Sequence, residues 1–200
     1  HENKRDGSTL RDARTGRIIH QYPSNIDVGR CMASDIDPRH PGVEMWSLAS
    51  DGIRSIDGSI TAGHVKGLST NMAVWWDGDL LRELLDGTRV SKYMWEADTC
   101  ATLIQFEGCV RINGTKSNPC LAADIVGDWR EEVLVRTEDN SALRLYLSTI
   151  PTPHRLHTFL HDPVYRISIA TQNVAYNQPT HTGFYVGADL KGPFRGTIIP

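Results

Sequence analysis

Punctuation restricts the fold of this chain more than any other feature. Short β-prone runs recur along it, each closed by Gly, Pro, Asn or Asp, at residues 17–20, 43–48, 52–56, 73–76, 101–106, 133–136, 142–147, 166–170 and 182–186. Runs of this length between turn residues read as strands, and strands at such close intervals predict an all-β fold. One segment, 79–85 (DLLRELL), has the i, i+3, i+4 apolar spacing of a helix. It is the one helical signal, and at seven residues it is well short of the average helix.

The runs are organised by an internal repeat. Residues 33–46 (ASDIDPRHPGVEMW) align with 123–134 (ADIVGDWREEVL): a small residue, an Asp-Ile pair, a polar loop with glycine, then an acid leading into a strand. Segments 11–17 and 73–80 share a second pattern, in which Asp and Gly turn a hairpin. Acid-loop-strand units of roughly 40–50 residues predict β-propeller blades. Four or five blades fit in 200 residues, so the expectation is a partial ring. In the second copy Asp124, Asp128, Glu131 and Glu132 space oxygen ligands around Gly127, which is what a hard cation such as calcium takes from a loop. Asp35, Asp37, Glu44, Asp124, Asp128 and Glu131 are therefore expected as structural calcium ligands. A solvated acidic turn is the plainer reading of the same residues.

Charge and composition exclude several classes. The net charge of −3 favours neither nucleic acid nor an anionic membrane surface as a partner. No apolar run approaches the roughly 20 residues that span a bilayer. The opening at His1, inside a charged run without an apolar leader, predicts a mature or excised piece. Cys31, Cys100, Cys109 and Cys120 show no zinc-like spacing with histidines. Cys109 and Cys120 bracket a turn and are either a disulfide in a secreted protein or two buried thiols.

That turn, Asn113-Gly114, directs a basic side chain. Gly114 takes φ > 0 without steric cost, so Thr115 and Lys116 leave it in a fixed direction. Farther on, Asn173, Tyr176 and Asn177 lie in the polar segment TQNVAYNQPTH, which can offer carbonyl oxygens to calcium and a phenol to a sugar.

Residues 1–3 (HEN), Gly29-Arg30, 33–46, 75–86 (WWDGDLLRELLD), 113–119 (NGTKSNP), 120–136 (CLAADIVGDWREEVLVR) and 165–187 (YRISIATQNVAYNQPTHTGFYVG) resemble the rhamnogalacturonan lyases of polysaccharide lyase family 11. The resemblance implies an eight-bladed β-propeller about three times this length, of which residues 1–200 are the C-terminal blades, the missing N-terminal blades being a partner. It also implies a secreted microbial enzyme that cleaves the rhamnogalacturonan I backbone of pectin with calcium in its cleft. Such β-elimination removes the C5 proton of a galacturonosyl unit and expels the 4-linked rhamnose. The site must neutralise the uronate carboxylate and hold a base within reach of the proton.

On this reading Lys116 is the base, with Tyr176 competing for that role, and Arg30 pairs with the uronate carboxylate. Asn113 and Gly114 contact substrate, and Asn173, Asn177 and Glu2, the last in a motif lining the cleft, join the calcium ligands. Each has a plain alternative: a surface lysine, an Arg30 salt bridge to Asp35 or Asp37, a turn former at Asn113, a satisfied turn network at 173–177. Trp46, Trp75, Trp76 and Trp129 are expected in packing rather than on sugar rings. A different class also fits the acidic repeats: a non-catalytic, calcium-braced propeller module that binds carbohydrate or protein. Convergence of Arg30, Lys116 and Tyr176 on one cleft separates the two.

Overall fold

The computed structural model describes residues 2–3 (backbone only), 6–174 and 178–191. The described chain is all-β, built from four antiparallel sheets laid down in sequence order. The first holds β1 (Glu2–Asn3), β2 (Gly7–Arg11) and β3 (Ile18–Tyr22). The second holds β4 (Cys31–Ser34), β5 (Glu44–Ser47), β6 (Ile53–Arg54) and β7 (Ile60–Ala62) as a meander. The third repeats the meander with β8 (Met72–Val74), β9 (Glu83–Asp86), β10 (Arg89–Met94) and β11 (Thr99–Gln105).

The fourth sheet departs from this pattern. Its β14 (Glu132–Thr137) pairs with β15 (Leu143–Tyr146) on one edge and with both β12 (Cys109–Val110) and β13 (Leu121–Ala123) on the other. Residues 111–120 are thus an excursion between two pieces that line the same edge, and they carry the Asn113-Gly114 turn.

Strand periodicity accounts for the core. In the third sheet Met72, Val74, Leu85 and Val90 face a cluster with Val133, Val135 and Ala122 of the fourth, while Ala73, Leu84 and Tyr93 face Met32, Trp46 and Ile53 of the second. Successive side chains on a strand point to opposite faces, so a sheet buried on both sides reads as a continuous apolar run. That accounts for the helix-like spacing at 79–85. Residues 79–82 form a turn in which Asp79 Oδ1 accepts from Leu81 N at 2.8 Å, and 83–85 enter β9 with Leu84 and Leu85 on opposite cores.

Two expectations are corrected near the C-terminus. Residues 166–170 belong to a helix, α1 (Pro163–Thr171), not a strand. Asp162 caps it by accepting from Val164 N at 2.9 Å, Pro163 supplies a helical φ at the first position, and Tyr165 anchors the buried face. Segment 182–186 is irregular because its backbone is satisfied by side chains. Gly183 N donates to Asp162, Thr182 Oγ1 donates to Phe184 O, and Val186 joins a third cluster with Trp75, Trp129, Phe159 and Tyr165. The runs from 17–20 through 142–147 all fall on strands.

The acidic repeat has three copies, 34–44, 74–83 and 123–132. In each, one oxygen of a buried glutamate caps the turn. Glu44 Oε2 accepts from Ile36 N and Asp37 N (2.9 and 3.0 Å), Glu83 Oε2 from Trp76 N and Asp77 N (2.8 and 3.2 Å), and Glu132 Oε2 from Ile125 N and Val126 N (2.7 and 2.9 Å). Gly78 and Gly127, at equivalent places, take φ of +98° and +83°, which lets the turn double back. The residue before the glutamate ties one sheet to the preceding one: Arg82 N donates to Asp35 O and Glu131 N to Trp75 O, both at 2.8 Å. The four tryptophans are buried, as expected.

Candidate functional site

The excursion at 111–120 is shaped by three left-handed positions, two adjacent and one three residues on. Asn113 (φ 60°), Gly114 (φ 54°) and Ser117 (φ 53°) flank a 3-10 turn, Gly114–Lys116, and Lys116 N donates to Asn113 O at 3.0 Å. Asn113 is thus a turn former, since asparagine tolerates αL better than other side chains. Arg111 Nε braces the turn through Gly114 O at 3.0 Å. The far end is anchored by buried Asn118, whose Nδ2 donates to Asn173 Oδ1, while Asn173 Nδ2 donates to Cys120 O at 3.0 Å. Asn173 is therefore held against the base of the Lys116 turn. Tyr176 and Asn177 lie outside the described residues, as does the side chain of Glu2.

Lys116 lines an open cavity of about 440 Å³ whose wall also includes Gly29, Arg30, Asn71, Asp86, Arg89 and Thr115. Two sheets and the excursion build it. Gly29 (φ 71°) turns the chain ahead of β4 so that Arg30 faces the cavity, and Arg89 sits opposite Asp86 in the β9–β10 pairing. Asn71 Nδ2 donates to Asp86 Oδ1 at 2.8 Å, fixing the one carboxylate of the wall. Three cations against one carboxylate suit an anionic ligand, and guanidinium forks match carboxylates in geometry. Arg30 and Lys116 thus line the same cavity. Arg89 and Asp86 were not foreseen; the turn Gly87-Thr88 beside them was the available signal.

The acids expected to hold calcium are all placed against protein donors. Asp35 Oδ2 accepts from Tyr185 Oη (2.7 Å) and Ala188 N (2.8 Å), and burial pushes its carboxyl up to about 6. Asp37 is held by both Nε and Nη2 of Arg39. Burial drives the Glu44 carboxyl up to about 8. Asp124 Oδ2 accepts from Thr158 Oγ1 (2.7 Å) and Phe159 N (2.8 Å), and Asp128 is paired with Arg130. Glu131, fully buried, accepts from Tyr165 Oη at 2.7 Å and Thr180 Oγ1 and pairs with Arg82 Nη2 at 3.3 Å. These six carboxylates do not converge on a shared centre. Among the described residues one group of three does, Asp77, Asp79 and Glu83, whose oxygens lie within 4.8 Å of one another. The six fall in separate turns, each engaged by its own protein donors. All four cysteines are free, with Cys109 Sγ 3.6 Å from Tyr146 Oη.

The family model for the C-terminal domain of rhamnogalacturonan lyase family 11 matches residues 1–195. The chain is similar to the rhamnogalacturonan endolyase YesW of Bacillus subtilis (strain 168), at 51% identity over 93% of this chain and 30% of the relative. It is also similar to the exolyase YesX of the same organism, at 45% identity over 94% of this chain and 33% of that one. Among solved structures, a Bacillus licheniformis rhamnogalacturonan lyase superposes with a TM-score of 0.89 at 48% identity, covering 96% of this chain and 33% of that one. The chain thus spans about a third of the length of the relatives it matches.

Proposed function

Because the chain belongs to rhamnogalacturonan lyase family 11, we propose that its basic cavity is the part of a lyase site that binds rhamnogalacturonan I and carries out β-elimination on it. The observation that carries the reading is the meeting of Arg30, Arg89 and Lys116, from three separate stretches of sequence, in one cavity of about 440 Å³.

In this reading the guanidinium of Arg30 pairs with the carboxylate of the galacturonosyl unit. That makes the C5 proton more acidic by stabilising the charge that develops on the carboxylate as the proton leaves. Lys116, as its uncharged amine, takes the proton. The C5 electron pair becomes the C4–C5 double bond, and the O4 bond breaks with the rhamnose as the leaving group, which takes up a proton. Tyr176 competes for the proton-transfer role. Asn113 and Gly114 set the position of Lys116. Arg89 holds the carboxylate of a neighbouring uronate along the same chain.

Successive antiparallel sheets, of which the second, third and fourth share cores and are joined by one recurring backbone link, support reading them as blades of a β-propeller, with the remaining blades in the part of the relatives that this chain does not span. Calcium, in the same reading, is the cofactor of the whole lyase. A plant cell-wall substrate makes secretion the natural location.

The test follows the ultraviolet absorbance of the new C4–C5 double bond on rhamnogalacturonan I, with the protein that contains this chain and its Lys116→Ala variant. A rise in the wild type that the variant loses while still folded is the expected result. No rise in either, with carbohydrate still bound, favours the non-catalytic binding module.

A further inference from the structure

The three acidic turns each carry a basic side chain, but in different ways. In the first, Arg39 forks onto Asp37, with Asp98 Oδ1 also within 3.9 Å; in the third, Arg130 pairs with Asp128. In the second, the Lys92 ammonium reaches three carboxylates at once: Asp79 Oδ2 at 2.6 Å, Glu83 Oε1 at 3.0 Å, and Asp77 Oδ2. These are the three residues whose oxygens cluster tightly enough to ligate one ion. Lys92 comes from β10, next to β9, and is 15% exposed. Its three N–H bonds are matched by three acceptors, leaving no donor over. Burial opposes its charge, but Glu83, Asp77 and Asp79 outweigh burial and hold its pKa above the ordinary value. Glu83 uses one oxygen for the ammonium and the other for Trp76 N and Asp77 N, so the cation and the turn are coupled through a single side chain.

We propose that Lys92 is an internal cation standing at the centre of what its three carboxylates would otherwise make a divalent-cation site, so that this turn folds without metal. The inference is independent of the lyase reading. It follows that removing the amine converts the turn into an ion site, because three clustered carboxylates without a counter-charge are what calcium takes up.

The experiment uses the 200-residue chain and two readouts: terbium luminescence sensitised by the adjacent Trp75 and Trp76, and the unfolding midpoint in chelator or in calcium. The wild type is expected to keep its midpoint in chelator and to give no emission that Asp79→Asn removes. Lys92→Ala should unfold earlier in chelator, recover in calcium, and bind terbium roughly 10-fold or more tighter than the wild type, an increase that Asp79→Asn abolishes. Lys92→Met, which keeps the aliphatic stem, should behave alike and serves if the alanine variant does not fold. Wild-type emission that Asp79→Asn removes would overturn the proposal, since an ion would then already share or displace the amine. So would a Lys92→Met chain that is as stable as the wild type in chelator, or one that calcium neither binds nor rescues.

Discussion

The acidic turns and the basic cavity differ in the balance of charge that each gathers. Around the turns, Asp37 meets Arg39, Asp128 meets Arg130, Glu131 meets Arg82 and Tyr165, and the Asp77, Asp79 and Glu83 trio meets Lys92. In the cavity three cations face one carboxylate, already engaged by Asn71. Buried charges whose partners are internal hold sheets in register; a surplus of one sign facing solvent invites a ligand. The acids that stand out in the sequence are thus engaged within the fold, whereas Arg30, Arg89 and Lys116 gather around a cavity.

This contrast can be broken at several points. The largest effect is expected at Arg82, which is 4% exposed, hydrogen-bonds Ala73 O and Thr180 O, and pairs with fully buried Glu131. Arg82→Ala strands the glutamate and should cost about 3–5 kcal/mol, read as a shift in the urea unfolding midpoint. A midpoint near the wild type would show that the buried pair does not tie the sheets.

Lys116→Ala should do the reverse. Loss of a general base lowers kcat by roughly 10²–10⁴-fold, with stability changed by no more than about 0.5 kcal/mol. Equal losses in both quantities would place Lys116 with the structural set.

Glu44 tests the turns more finely. Glu44→Ala leaves the amides of Ile36 and Asp37 unsatisfied, at roughly 1–3 kcal/mol, whereas Glu44→Gln keeps an acceptor for them. Burial raises the Glu44 carboxyl from 4.5 to about 8, so the folded state holds this proton more tightly than the unfolded chain. Its effect on stability is therefore most favourable below about 4.5 and is lost as pH rises to about 8. Asp35, raised to about 6, acts in the same direction. Thermal melts across this window should show the wild type losing stability and Glu44→Gln losing less.

The smallest effect is expected at Arg89, which is exposed on the cavity rim. Arg89→Ala should raise KM several-fold and flatten the salt dependence of binding while sparing kcat, since a rim cation adds attraction more than chemistry. An unchanged KM would remove it from the site.

Much of this was legible in the sequence. The strand runs and two of the acidic turns could be read because period-2 patterns and turn residues act locally. The third copy at 74–83 was hidden: Leu80, Leu81, Leu84 and Leu85 serve a turn and two opposite cores, yet their spacing imitates a helix. Helix α1 was masked in the opposite sense by the β-prone residues of 166–170, although Asp162-Pro163 was a legible start signal. Arg30 and Lys116 could be singled out individually, but their meeting with Arg89 depends on how the second and third sheets and the 111–120 excursion lie together. The partners of Asp35 and Asp124 are likewise distant in sequence: Tyr185 and Ala188 for one, Thr158 and Phe159 for the other. Carboxylate spacing alone cannot tell an ion from a protein donor.

The most direct test of the division between fold-building acids and acting cations is calorimetric titration of a rhamnogalacturonan I oligosaccharide into the chain carrying Arg30→Ala and Lys116→Ala together. The account predicts that heat of binding disappears while the unfolding midpoint stays at the wild-type value. Binding that persists undiminished in the double variant would contradict it.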